Sequence, residues 1–191
     1  RTAFEAGDVH FVDLDGDHFV TEADRTVIGD PNPDIYGNIF TTVQYERFRL
    51  DVRFNYSLGN DIYNYMRQQL ESGSRFMNQT TALARRWQVE GQQTDIPRLS
   101  FQDPMGNSRF SDRWIEDGSY LRLKTVTLSY DLPISSTFLQ GLQFWVQANN
   151  VFTLSRYLGA DPEGAALSAV LGQGIDAGSV PQSRNFMVGI K

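Results

Sequence analysis

Cysteine is absent from the 191 residues, which removes disulfides, thiolate metal sites and thiol catalysis while leaving the redox compartment open. Long apolar runs are missing too. No stretch approaches the roughly eighteen apolar residues that a spanning helix requires, so an α-helical membrane protein is excluded. A transmembrane barrel is not excluded, because its strands alternate apolar and polar residues and average to a soluble-looking composition. The observed 40% apolar and 21% charged residues have that character, and 191 residues would also suffice for one ordinary domain. Histidine is scarce: only His10 and His18 could serve as imidazole bases. Neither a nucleophile elbow nor a glycine-rich phosphate loop occurs. Carboxylates are plentiful, but nothing in their placement marks a glycosidase pair; the chain reads as a non-enzyme. A net charge of −6 with no concentrated basic face argues against a nucleic-acid partner.

What the sequence does contain is alternation. From Arg47 to Leu58, Phe48, Leu50, Val52, Phe54, Tyr56 and Leu58 interleave without a break with Arg47, Arg49, Asp51, Arg53, Asn55 and Ser57. Such a strand has one apolar and one charged face, and it slightly exceeds the about 9–11 residues that cross a bilayer when tilted. Periodicity alone fits a soluble sandwich equally well; length favours the membrane. Ile35, Ile39, Val43 and Tyr45 share a second apolar face opposite Asn38, Thr42 and Gln44, with Phe40 breaking the polar side. From Tyr120 to Asp131 the pattern changes phase: Val126, Leu128 and Tyr130 keep one parity, whereas Leu121 and Leu123 keep the other, opposite Arg122 and Lys124. A β-bulge, or a strand rising out of the hydrocarbon, accounts for this. Leu142, Phe144, Val146, Ala148, Phe152 and Leu154 face away from Gln143, Trp145, Gln147 and Asn149, and Phe186, Val188 and Ile190 end the series.

The connections alternate in length. Ile35–Tyr45 passes to the next strand almost directly through Glu46, and the Tyr120–Asp131 strand reaches Leu142 through a compact turn containing Pro133 and Gly141. Residues 13–34, 59–118 and 155–182 are long by comparison. Short turns at one end and long loops at the other is the arrangement of outer-membrane barrels. Within the longest loop, Asp61–Ser72 and Thr80–Gln88 are predicted as short helices, capped by Asn60 or Asp61 and by Asn78 or Thr80.

One loop has the spacing of a metal site. Asp13, Asp15, Asp17 and Asp24 stand at the first, third, fifth and twelfth places of a twelve-residue acidic loop, with the Phe19 carbonyl as a further oxygen donor. An EF-hand-like loop wraps Ca2+ this way. The sixth place, which favours glycine, is His18, a residue that enters the left-handed region at a cost. The alternative is an acidic turn held by Asx-type hydrogen bonds. Trp87 and Trp114, in predicted outer loops, and Trp145, facing a lumen, are candidate substrate-stacking residues; loop packing or an interfacial girdle is the competing role.

Several motifs in order carry a family resemblance. They are Gly7-Asp-Val-His-Phe-Val-Asp-Leu-Asp-Gly-Asp, Asp24-Arg-Thr-Val-Ile-Gly-Asp-Pro-Asn-Pro-Asp, Gly59-Asn-Asp-Ile-Tyr-Asn, Ser111-Asp-Arg-Trp-Ile-Glu-Asp-Gly-Ser-Tyr-Leu-Arg-Leu-Lys, Asn149-Asn-Val-Phe-Thr-Leu-Ser-Arg-Tyr and Asp161-Pro-Glu. Together they resemble the C-terminal region of SusC/RagA TonB-dependent transporters over nearly the whole chain. That resemblance implies an all-β fold: about the last five or six strands of a 22-stranded antiparallel transmembrane barrel with long extracellular loops. Residues 1–191 would then be a fragment without the plug domain and TonB box, ending a few residues before the family's usual aromatic terminus. It further implies a multi-pass protein in the lipid of the bacterial outer membrane. Its function would be import of an oligosaccharide or peptide with a SusD-like surface lipoprotein, powered by the TonB–ExbB–ExbD complex through the missing N-terminal region. The rival reading is a soluble all-β calcium-binding module, of the carbohydrate-binding or adhesin kind.

Overall fold

The computed structural model describes residues 4–134, 141–164 and 172–191. Parts of the predicted turn before Leu142 and of the predicted loop 155–182 lie outside them. Eight strands occur among the described residues: β1 (Ile35–Tyr45), β2 (Phe48–Leu58), β3 (Asp61–Asn64), β4 (Ile115–Asp117), β5 (Tyr120–Leu132), β6 (Leu142–Ser155), β7 (Ile175–Asp176) and β8 (Asn185–Ile190). They form an antiparallel five-stranded sheet in the order β1-β2-β5-β6-β8 and a small sheet in the order β4-β3-β7. The chain divides into two compact units, one of residues 1–29 and 63–115, the other of residues 30–62 and 116–191.

The second unit contains the five-stranded sheet, whose register follows from the alternation. β1 and β2 pair over their full lengths around a tight turn at Glu46, where φ is +52°; the primed turns that close short hairpins demand this left-handed geometry. Cross-strand pairing then stacks like with like. Val43, Leu50, Leu128 and Val146 fall in one row, and Ile39, Phe54, Leu123 and Phe152 in another. Of the two causes offered for the phase change, a bulge or a strand rising out of the hydrocarbon, the bulge is present. Between the Val52–Val126–Ala148 row and the Phe54–Leu123–Phe152 row, β2 has Arg53 alone, β5 has Lys124 and Thr125, and β6 has Asn149, Asn150 and Val151. One extra residue reverses the parity of β5, and two extra residues restore it in β6, which is why only β5 changes phase in the sequence. Asn150 absorbs the surplus at φ +52°, a conformation asparagine tolerates better than most residues.

The resulting sheet has a continuous apolar face that none of the described residues covers. Among the described residues the buried hydrophobics are Ile62, Leu83, Ile96, Met105, Trp114 and Tyr157, none of them in the five-stranded sheet. Ile39 remains 55% exposed, Val146 52% and Val188 77%. A soluble sandwich would bury these side chains under a second layer, and the described residues supply none. The aromatics Tyr45, Phe48, Tyr130 and Phe144 gather on this face at its short-turn end, Phe48 and Tyr130 with ring centroids 4.6 Å apart.

The first unit is built mostly of loops. Its buried apolar residues are Leu83, Ile96, Met105 and Trp114. Asp8 ties it together, accepting from Arg98 at 2.8 and 3.0 Å and from the Asn107 amide at 2.9 Å. Two expectations need correction here. The predicted helix Asp61–Ser72 begins four residues late: Asp61–Asn64 is strand, and α1 spans Tyr65–Glu71, capped by Asn64, whose side chain accepts from the Arg67 N–H at 2.9 Å. The predicted helix Thr80–Gln88 is a 3-10 turn, Thr81–Arg85. It stops because the Trp87 N–H donates to the Ile96 carbonyl at 2.9 Å instead of continuing the turn; so short a helix has no stability of its own against such a tertiary bond.

Candidate functional site

The polar face of the sheet carries the most organised side-chain chemistry. Hydroxyls and amides run across it: Thr127 bonds Gln147 at 3.3 Å, the Gln147 amide donates to Asn149 at 2.9 Å, and the Asn149 amide to Asn185 at 2.6 Å. Trp145 stands on this face between Gln143 and Gln147, its indole over the space a side chain at Gly189 would need. It shares the side of Gln143 and Gln147, as the alternation of the strand predicts.

A charge network sits at the long-connection end of this face. Arg122, only 3% exposed, donates to Thr153 Oγ1 at 2.8 Å, to Glu163 at 2.7 Å and to Asp161. Lys124 reaches Glu163 at 3.1 Å and Gln182 at 2.6 Å. Asp161 also accepts the backbone N–H groups of Glu163 at 2.9 Å and Gln182 at 3.0 Å. Burial opposes ionisation of Asp161, but the Arg122 guanidinium and these two N–H donors outweigh it and hold the carboxyl below its ordinary value. The sequence motifs contained all four charged residues; their convergence depends on the bulge and was not read from them.

The acidic loop belongs to the first unit. One carboxylate oxygen from each of Asp13, Asp15 and Asp17 lies within 4.8 Å of the others, a separation suited to oxygens sharing one cation at about 2.3–2.6 Å each. Backbone N–H groups line the turn: Gly16 and His18 donate to Asp13 at 2.7 and 2.8 Å, Asp17 to Asp15 at 3.1 Å, and Phe19 to Asp17 at 2.7 Å. His18 takes the left-handed conformation at φ +67°. Both the cation spacing and the Asx-type turn are therefore present. Asp24 stands apart from the triad: its oxygens accept the Thr21 N–H at 2.6 Å and the Leu14 N–H at 2.8 Å and cap the 3-10 turn Glu22–Asp24. Those hydrogen bonds hold its carboxyl below the usual range.

Of the other two tryptophans, Trp114 is closed to stacking on a ligand. Trp114 is 1% exposed, its indole N–H donates to the Arg109 carbonyl at 2.8 Å, and Arg113 and Arg67 lie over its rings at 4.8 and 5.5 Å. Trp87 is half-buried against Gly7. Among the exposed aromatics of this unit, Phe76 and Phe101 lie with ring centroids 4.9 Å apart, Phe76 94% exposed; no periodicity in the sequence distinguishes them.

No family model matches the chain. Individual relatives do. TonB-dependent receptor P3 of Formosa agariphila is 35% identical over 188 residues, covering 94% of this chain and 18% of that receptor. TonB-dependent receptor SusC of Bacteroides thetaiotaomicron is 26% identical over 192 residues, covering 94% of this chain and 17% of the receptor. Among solved structures, the RagAB peptide importer in its closed-closed state superposes with a TM-score of 0.74 at 26% identity, over 96% of this chain and 20% of that one. The chain thus spans about a fifth of the proteins it matches. These relatives are receptors and importers, not enzymes, as the lack of a catalytic motif led us to expect.

Proposed function

Because the chain carries SusC/RagA-type TonB-dependent receptor sequence and sheet over about 18% of such a receptor's length, we propose that its five-stranded sheet is a stretch of outer-membrane barrel wall. The parent protein imports a glycan or peptide together with a SusD-like surface lipoprotein, driven by TonB–ExbB–ExbD through parts outside this chain. Peptide is the cargo named for the RagAB relative. The stretch is the C-terminal one, with its long connections outside the cell.

The observation that carries this reading is the uncovered apolar face. Ten residue steps separate Ile35 from Tyr45 along β1; at about 3.4 Å per step and a tilt near 40°, that is about 25 Å of height, the thickness of a barrel's apolar band. Aromatics at one rim fit the interfacial girdle of such a band. The polar face then lines the passage, and its amide and hydroxyl pairs keep its donors satisfied there. Nitroxide labels on the parent receptor in lipid vesicles test the assignment. Labels at Leu50 and Val126 should be reached by lipid-dissolved oxygen and labels at Asp51 and Thr127 should not; equal accessibility at all four would refute a lipid-facing side.

The acidic loop, in the same reading, is a calcium-stiffened part of the outer surface, with Asp13, Asp15 and Asp17 as ligands, the Phe19 carbonyl as a fourth oxygen donor and Asp24 closing the loop behind them. A calcium titration followed by lanthanide luminescence tests this, and absence of binding at millimolar calcium would end it.

A further inference from the structure

The charge network does more than neutralise buried ions. Were β5 to keep one parity throughout, Arg122 and Lys124 would lie on the apolar face with Val126 and Leu128, where a cation is costly. The residue inserted between the Arg53–Thr125 and Phe54–Leu123 pairs is Lys124 itself. It turns both cations to the polar face and leaves Leu121 and Leu123 on the apolar one. Once there they meet no partner from the neighbouring strands except Thr153; their counter-charges come from the turn at residues 161–164, which follows β6 by six residues, and Gln182, just before β8, completes the set. A turn in a long outer connection has no intrinsic reason to lie against a strand's side chains. Here four side-chain bonds from two strand cations draw it there, Lys124 also bonds Gln182, and the backbone N–H groups of Glu163 and Gln182 close around Asp161.

We propose that Arg122 and Lys124 are positioning residues that seat the 161–164 turn on the polar face of the wall at its long-connection end, so that this turn lines the entrance of the passage instead of belonging to a free outer loop. The inference rests on the polar face being the passage side. Pairs of this kind hold geometry better than they add stability: removing one partner strands a buried charge, whereas the intact set roughly balances its desolvation. Glu163 bridges both cations and is therefore the residue to perturb.

The test uses the full-length parent receptor. In Glu163→Gln, hydrogen exchange of the segments carrying the Glu163 and Gln182 amides should run about tenfold faster or more, because the charge-assisted bonds from both Arg122 and Lys124 are weakened, with β5 and β6 exchange unchanged. The cargo concentration that half-saturates uptake should shift about threefold or more at equal receptor abundance, as expected for altered binding rather than lost protein. Glu163→Asp, which keeps the charge, should restore both. Lys124→Met removes only the partly exposed ammonium and should move both readouts the same way by less. Wild-type exchange in Glu163→Gln, or a loosened turn with unchanged uptake, would overturn the proposal, as would failure of Glu163→Asp to rescue. Fractionation separates the underlying reading: a parent receptor absent from the outer membrane sinks the wall assignment, whereas these failures in an embedded receptor sink only the seated turn.

Discussion

Replacing Val52 by lysine separates a lipid-facing wall from every soluble alternative. Val52 lies on the apolar face of β2, between Thr41 of β1 and Val126 of β5. It is four residues from Phe48 at the aromatic rim; at about 3.4 Å per residue and a 40° tilt, that places it about 10 Å inside the band. A lysine at such depth costs about 2–4 kcal/mol, falling to about 0–1 kcal/mol near the interface. Leu58→Lys, at the far end of the same strand and face, supplies the shallow comparison. The assay is guanidinium unfolding of the parent receptor from phospholipid vesicles, with outer-membrane abundance in cells as a second readout. A face open to water would leave both substitutions within about 0.5 kcal/mol of wild type, and a buried sandwich core would penalise both heavily. Equal costs at the two positions would refute the depth dependence, and with it the membrane assignment of this face.

Three further outcomes are expected. Trp114→Ala should weaken the first unit by about 3–5 kcal/mol, as for other large buried aromatics; limited proteolysis should show faster cleavage in residues 63–115, and wild-type resistance would show that the indole is not structural. Because Asp161 is held below its ordinary value in the folded protein, its contribution is present above the unfolded carboxyl value of about 4 and disappears as pH falls through the lower folded value. Exchange protection at Gln182, corrected for intrinsic rate, should therefore hold from neutrality to about pH 4 and fail below it; a loss near pH 6 would implicate another group. Histidine 18 occupies a left-handed position, so His18→Gly should relieve about 1 kcal/mol of strain and tighten calcium binding in a titration. Weaker binding would mean that the histidine side chain itself assists the loop.

The strands were legible because each needs only its own residues to declare two faces. Phe48 to Leu58 does so without a break, and the phase change within Tyr120–Asp131 marked an irregularity before any partner strand was considered. Elements that depend on distant partners were not legible. Asp61–Asn64 continues into a good helical pattern through Tyr63, Met66 and Leu70, and only its place in a sheet with β4 and β7 makes it a strand. Asp24 has the spacing of a metal ligand, yet its oxygens serve the Leu14 and Thr21 N–H groups, a use that sequence spacing cannot distinguish. Trp114 could have been an outer platform until the Arg109 carbonyl and two guanidinium groups closed around it. Arg122 and Asp161 lie 39 positions apart, and no local pattern links them.

The unequal residue counts of β2, β5 and β6 across the bulge make chain length act as a parity check. Deleting Lys124 would remove the surplus residue itself: Thr125 alone would then separate Val126 from Leu123, as Arg53 separates Val52 from Phe54, and Leu121 and Arg122 would keep their sides. Deleting Thr127 instead, in the regular part of β5, would leave composition and hydropathy almost untouched yet exchange inside for outside on one side of the gap. Removing two residues together from Asn149–Val151 would keep every facing in β6 and cost only the local curvature. In the regular parts of this wall, insertions and deletions are therefore tolerated or rejected by whether their number is even or odd, before their chemistry matters at all, whereas at the bulge a change of one residue is absorbed.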